Sequence, residues 1–189
     1  MFVGFDLDRC MEAAGVLFST TETKMLSRMR LLKYLYLANR KSLQETGDPI
    51  VDDDVYAMKD GPVLSQTYDL IKGSSLNESA NAAWRSHFEI KDYIQIRMVR
   101  DPGSDHLSDY DVDVLKEIAD RYKDMEEFEL SEFTHGFDEW QRNWHKNLLQ
   151  ERISEYDLLS GVGFAPDEIK TVLDEAKVYA AERELLGCR

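Results

Sequence analysis

Apolar residues recur at helical spacing through most of the chain, and this pattern predicts a mainly helical protein. Residues 6–18 form a first amphipathic segment of this kind. The clearest predicted helix runs from about Met25 to Glu45, and within it the segment 31–38 is apolar nearly all round. Because a helix that is apolar on nearly all sides is buried in a folded protein, we predict that Leu31 to Ala38 lies on a central buried helix.

Turn-forming residues divide the segment that follows. Gly47 and the proline two positions later predict the end of the long helix, since glycine accepts a left-handed cap and proline cannot continue a helix. Three aspartates at 52–54 are candidate caps for a short helix through residue 58. Gly61-Pro62 predicts a turn, and residues 63–72 predict another helix.

The second half of the chain alternates one β segment with further helices. Residues 88–100 show partial period-two alternation, which predicts a strand or a small hairpin. Ser108 has the form of an N-cap for the helix that follows it. Other helices are predicted over residues 128–134, from Ser154 to about Gly161, and from Pro166 onward. The predicted fold class is mainly α (α+β), with residues 1–160 as one domain and residues 161–189 as a helical extension packed on it.

The charge is strongly negative and unevenly distributed. The chain has a formal net charge of −14, and residues 101–150 contain 5 basic and 14 acidic residues, a net charge of −9. Such a field repels phosphate backbones and attracts basic surfaces. We therefore expect no direct nucleic-acid ligand, and a basic protein partner is one interpretation. The alternative is an acidic face that keeps the protein in solution.

The two cysteines indicate a reducing compartment, and the lack of long apolar runs argues against a signal peptide or a membrane span. Cys10 and Cys188 are too far apart in the sequence for a disulfide framework or a CxxC metal site. The N-terminal residues lack the pattern of a signal peptide, and no stretch approaches the roughly 20 apolar residues that span a bilayer. We expect a cytoplasmic protein with no membrane contact.

Candidate catalytic chemistry is weak throughout the sequence. The four histidines, His87, His106, His135 and His145, show no metal-ligand spacing, and the consecutive aspartates do not match a calcium loop. There is no nucleophile elbow, phosphate-binding loop or dinucleotide fingerprint. We expect no cofactor, no metal and no catalytic residues. An enzyme with a histidine and carboxylate site remains the alternative, and it would require a deep pocket with convergent polar groups.

Seven short motifs occur in an order that resembles the SocA-like antitoxin family, the Panacea domain. They cover roughly residues 5–160 and read Lys33-Tyr34-Leu35-Tyr36-Leu37-Ala38-Asn39-Arg40, Gly47-Asp48-Pro49-Ile50, Tyr56-Ala57-Met58, Gly61-Pro62-Val63-Leu64-Ser65, Tyr68-Asp69-Leu70-Ile71, Leu107-Ser108, and Thr134-His135 with Trp140. Asn39 departs from the pattern, because an aspartate is frequent at that position in the family.

The resemblance implies an antitoxin that neutralises a co-encoded toxin by direct binding. It also implies a second role, as an adaptor that delivers the toxin to the ClpXP protease. A phage or prophage protein that uses the same kind of domain for regulation or anti-defence is a further alternative. The oligomeric state stays open.

Two sets of residues follow from these motifs. Residues that flank the Gly-Pro element provide adaptable apolar area, and they are the candidate partner-binding residues: Tyr56, Met58, Gly61, Pro62, Val63, Leu64, Ser65 and Tyr68. Ordinary core packing is the alternative for each of them. The motif residues expected to be structural are Leu35, Tyr36, Thr134, His135 and Trp140. We predict that Trp140 packs beneath Gly61-Pro62 and that His135 is hydrogen-bonded.

Overall fold

The computed structural model describes residues 4–185, with side chains described for residues 4–182. The helices are α1 (Leu7–Ser19), α2 (Arg28–Thr46), α3 (Ser65–Lys72), α4 (Glu78–His87), α5 (Asp109–Tyr122), α6 (Glu127–His135), α7 (Asp138–Asn143), α8 (Glu155–Gly161) and α9 (Pro166–Leu185). The strands are β1 (Met25–Ser27), β2 (Val55–Met58), β3 (Gly61–Leu64), β4 (Phe88–Ile90), β5 (Gln95–Met98) and β6 (Gln150–Ile153). The fold is mixed α+β and mainly helical, which confirms the predicted class.

Helix α2 lies at the centre of the core, as its all-round apolar pattern predicts. Every residue from Leu31 to Ala38 is buried, and elements on several sides, including α1, α5, α6 and β3, pack against the helix. Ser27 caps its start by accepting from the Arg30 amide, and Gly47 ends it in a left-handed conformation with φ of 81°. The predicted C-terminus is therefore confirmed.

The predicted start of this helix at Met25 is wrong. Met25–Ser27 forms β1, which pairs antiparallel with β5, and β5 also pairs with β4 in a three-stranded sheet of order β1-β5-β4. Strand pairing with a segment about 70 residues away overrides the local helical pattern. The hairpin β4–β5 confirms the predicted β segment near residues 88–100.

A second sheet replaces the short helix predicted through residue 58 and the turn predicted at Gly61-Pro62. Residues 55–58 form β2, and residues 61–64 form β3, so the turn itself is Lys59-Asp60. The sheet order is β3-β2-β6, with all pairs antiparallel. The helix predicted from residue 63 begins only at Ser65, because residues 61–64 are hydrogen-bonded in the ladder with β2.

The aspartate run does cap a helix, but a different one from the helix predicted. Asp53 is buried, and its carboxylate accepts from the Gln66 and Thr67 amides and the Thr67 hydroxyl at 2.8–2.9 Å. It therefore satisfies free amides at the start of α3 from outside that helix. Burial raises the pKa of Asp53, although these hydrogen bonds act in the opposite direction.

The remaining predicted helices correspond to observed ones. Ser108 forms a capping box with Asp111 at the start of α5, and α6, α8 and α9 occupy the predicted segments. Sequence reasoning did not predict α4, α7 or β6. In the part of the chain with a described structure, no helix has the length and apolar character needed to cross a membrane.

Candidate functional site

The candidate partner-binding residues all lie on the hairpin β2–β3 and the start of α3. Along β2, Val55 and Ala57 face the core while Tyr56 and Met58 are partly exposed, as the pleat requires. Four members of the set are buried: Gly61, Pro62, Val63 and Leu64. Four are partly exposed: Tyr56, Met58, Ser65 and Tyr68. The structure therefore brings the set together but leaves only half of it open to solvent.

Gly61 is the residue at which this hairpin comes closest to the helices below it. Its φ of 95° lies in the region that favours glycine. A Cβ built at this position would lie 2.6 Å from Lys33 Nζ and would overlap Thr134 Oγ1. Because no other residue fits that space, Gly61 allows the hairpin to lie directly on α2 and α6.

Lys33 is a charged residue type inside the core, directly below Gly61 and Pro62. Its side chain has no solvent exposure, and Nζ donates a 3.1 Å hydrogen bond to the Pro62 carbonyl. Burial lowers the pKa of the Lys33 amine from 10.5 to about 7, although the nearby carboxylate of Asp60 acts in the opposite direction. The hairpin therefore rests on an amine that is close to losing its charge at neutral pH.

Helices α6 and α7 hold the turn of the hairpin through hydrogen bonds to its backbone. Ser131 donates from its hydroxyl to the Asp60 carbonyl at 2.9 Å, and Trp140 Nε1 donates to the Met58 carbonyl at 3.0 Å. These two bonds satisfy backbone oxygens at the hairpin turn. Trp140 therefore contacts the end of β2, and the residues that lie against Gly61 are Thr134 and Lys33.

His135 packs against Trp140 in a partly buried position. The two rings stack with centroids 4.1 Å apart, and Trp140 also stacks on Trp144 at 5.8 Å. His135 Nδ1 lies 3.2 Å from a carboxylate oxygen of Glu132, while Nε2 is buried without a hydrogen-bond partner among the described residues. This geometry makes His135 a packing residue that also pairs with its own helix.

A buried polar network joins α2 to α7 and α8. Glu139 has no solvent exposure, and its Oε1 accepts from the Tyr36 hydroxyl at 2.6 Å and from Arg40 Nε at 2.8 Å. Arg40 also donates to the Gly161 carbonyl at 2.8 Å and lies over the ring of Phe137. Burial, followed by the charge of Glu139, raises the pKa of Tyr36 well above its ordinary value. The buried carboxylate is thus paired with a cation, as burial requires.

Asn39, one of the positions at which the sequence departs from the pattern it resembles, fixes the loop that leads to β2. Its amide group donates to the Val51 carbonyl at 2.7 Å, and its oxygen accepts from the Val51 amide at 2.9 Å. An aspartate could accept the second bond but could not donate the first while ionised.

The arrangement offers little room for substrate chemistry. The cavity beside Tyr36, Arg40 and Glu139 has a volume of about 10 Å³, which is about one water molecule. An open cleft of about 560 Å³ lies between the end of α2 and α9, away from the hairpin. Among the described side chains, no group of three or more His, Cys, Asp or Glu residues could hold a metal ion. The contacts of the arrangement hold the hairpin β2–β3 in place at the surface.

Lys33, Arg40 and Glu139 are the important residues here that sequence reasoning left without a role. Lys33 and Arg40 are the first and last residues of the motif at 33–40, and Glu139 immediately precedes Trp140. An ionisable residue at the middle of an otherwise apolar run is a signal that could have identified Lys33, because such a residue must be buried with a partner.

Comparison with known proteins gives one match. A family model described as "Antitoxin SocA-like, Panacea domain" matches residues 31–141, which is more than half of the chain. The matched segment begins in α2 and ends in α7, so it contains the hairpin and most of the groups that hold it. The search of curated proteins and the search of solved structures returned no match.

Proposed function

The chain belongs to the SocA-like antitoxin family with a Panacea domain, and we propose that it neutralises a co-encoded toxin by binding it directly. The observation that carries this proposal is the family match over residues 31–141. The positions of the motif residues support it, since they fix a surface hairpin and leave room for about one water beside the network of Tyr36, Arg40 and Glu139.

The partly exposed residues of the hairpin are the proposed contacts. The side chains that would contact the toxin are Tyr56, Met58, Ser65 and Tyr68. The buried strand Gly61 to Leu64 would hold the hairpin in place beneath them. Aromatic and methionine side chains provide adaptable apolar area at interfaces. A rigid backbone below them reduces the entropy lost on binding.

We propose that residues 1–160 act as the binding domain and that residues 161–189 are an extension packed on it. Ile169 of α9 is buried, and Val172 lies against Gly47 at the end of α2. The segment beyond residue 185 lies outside the described residues.

The test is to express the neighbouring gene with and without this one and to measure growth, followed by co-purification. Toxicity of the neighbour alone, rescue by this chain and a stoichiometric complex are the expected results. A harmless neighbour would contradict the proposal. Rescue without a complex, with toxin levels that recover in cells lacking ClpXP, would favour the adaptor role.

A further inference from the structure

Helix α6 has two faces with different tasks. Its inner face, which includes Leu130, Ser131 and Thr134, is buried against the hairpin and the core. Its outer face presents Phe128, Glu129, Glu132 and Phe133 to solvent. Phe128 is 77% exposed and Phe133 is 39% exposed. The outer face therefore carries exposed apolar area, most of it on Phe128.

Phe128 is the stronger anchor of the two. Phe133 already packs against Tyr122 and Phe137, with ring centroids 5.4 and 5.3 Å away. No aromatic partner is observed for Phe128 among the described residues. An exposed aromatic side chain on a helix that is held in place from behind is well suited to fill a pocket in a partner.

The surroundings of Phe128 are strongly acidic. Residues 124–132 contain five carboxylates and no basic residue: Asp124, Glu126, Glu127, Glu129 and Glu132. Among the described residues, Glu132 lies within salt-bridge distance of His135, and no salt bridge within 4.0 Å is formed by the other four carboxylates. Glu126 and Glu129 form a capping box and so fix the start of the helix. The segment therefore keeps a net negative charge, although Lys123 interacts electrostatically with Asp124 at its start.

The charge distribution identifies the kind of occupant. The five carboxylates follow the turn and the helix and do not converge on one point, and no described group of acidic side chains could hold a metal ion. An extended basic surface matches this arrangement, because carboxylates that leave water need cationic partners.

We propose that the outer face of α6 is a docking surface for a basic protein, with Phe128 inserted into an apolar pocket of that partner. The inference rests on the proposed function, since it takes the co-encoded toxin to be the basic partner. It adds a surface that is separate from Tyr56, Met58 and Tyr68. The acidic rim would accelerate encounter, and Phe128 would slow dissociation.

The test uses the full chain and the purified product of the neighbouring gene in a biolayer interferometry measurement. Phe128→Ser removes the anchor and should weaken binding by about tenfold or more, mostly through faster dissociation. The matched control is Tyr93→Ser, because Tyr93 is also an exposed aromatic residue, 94% exposed, at the turn between β4 and β5. Both variants should melt at the wild-type temperature.

A second pair of variants tests the charge. Asp124→Asn with Glu127→Gln should slow association several-fold at low salt and flatten its salt dependence. Glu22→Gln with Glu182→Gln changes the charge by the same amount at exposed positions outside both proposed surfaces and should leave association close to wild type.

Each outcome separates the two proposals. If the wild-type chain does not bind the neighbouring protein at all, the proposed function fails and this surface fails with it. If the wild type binds but Phe128→Ser dissociates no faster than Tyr93→Ser, the docking surface is wrong and direct binding stands. Loss of binding in Phe128→Ser with an unchanged melting temperature supports the surface.

Discussion

Replacing Lys33 by methionine should remove much of the pH dependence of stability between pH 7 and pH 9. The Lys33 side chain is fully buried, and its one hydrogen bond goes to the Pro62 carbonyl. Its pKa falls from 10.5 to about 7 on burial. Methionine has a similar length, fills the same space without a charge, and adapts readily to irregular packing.

The sign follows from the two pKa values. Between pH 7 and pH 10.5 the unfolded chain binds the Lys33 proton and the folded chain does not, so the free energy of unfolding rises with pH. Below pH 7 the amine is charged in both states, and the burial penalty is constant. With about 1.4 kcal/mol for each pKa unit, the penalty is about 4 kcal/mol at pH 7 and about 2 kcal/mol at pH 9. The wild type should therefore gain about 2 kcal/mol over this range.

The Lys33→Met variant loses both the free-energy penalty of burying the lysine amine and one hydrogen bond. Loss of the bond to Pro62 costs about 1 kcal/mol, so Lys33→Met should be more stable than wild type by about 3 kcal/mol at pH 7 and by about 1 kcal/mol at pH 9. Burial also raises the pKa of Cys10 to about 12, which makes stability fall as pH rises above 9. That effect is present in both proteins and cancels in their difference.

Urea unfolding followed by tryptophan fluorescence at pH 7, 8 and 9 would measure these differences. Lys116→Met is the control, because Lys116 is exposed and the same change there should retain the wild-type pH dependence. The reasoning is refuted if Lys33→Met and Lys116→Met show the same change of unfolding free energy with pH.

Three further substitutions test how the core and the hairpin are held. Leu35→Asp should cost several kcal/mol, because it buries an unpaired charge at a position that is 1% exposed; a melting temperature within a few degrees of wild type would contradict the central position of α2. Gly61→Ala should lower the free energy of unfolding in urea by about 2 kcal/mol or more, since a Cβ at φ of 95° overlaps Thr134. An unchanged free energy of unfolding would mean that the hairpin lies farther from α6. Trp140→Phe should cost about 1 kcal/mol by removing the hydrogen bond to the Met58 carbonyl; calorimetry that detects no loss would show that this bond contributes nothing.

The helices could be predicted from the sequence because their signals are local. Ser108 and its capping box, Gly47 at the end of α2 and Pro166 at the start of α9 each act within one or two turns of the chain. The buried position of Leu31 to Ala38 could be predicted because this helical segment is apolar on nearly all sides. Neither inference required knowledge of a distant partner.

The second sheet was missed because one of its two strand pairings is distant and the other was obscured by a turn signal. Strand β6 pairs with β2 from almost 100 residues away, and Gly61-Pro62 has the local chemistry of a turn although the β2–β3 turn lies at Lys59-Asp60. The charged groups beneath the hairpin are similar in this respect. Whether Lys33 has a hydrogen-bond partner depends on the position of Pro62, and that position cannot be inferred from the sequence of α2.

The location of β6 in the chain affects the protein while it is being made. Strand β2 leaves the ribosome long before residue 153, and one of its edges has no neighbour until then. At synthesis rates of about 5–20 residues per second, that interval is roughly 5 to 20 seconds. During this time Trp140 and β6 are not yet in place, so cellular proteases meet an incomplete sheet with an open edge. Slower translation after β2 should therefore reduce the amount of folded protein, and a chain shortened to the family-matched segment, which ends at residue 141, would keep that edge open permanently.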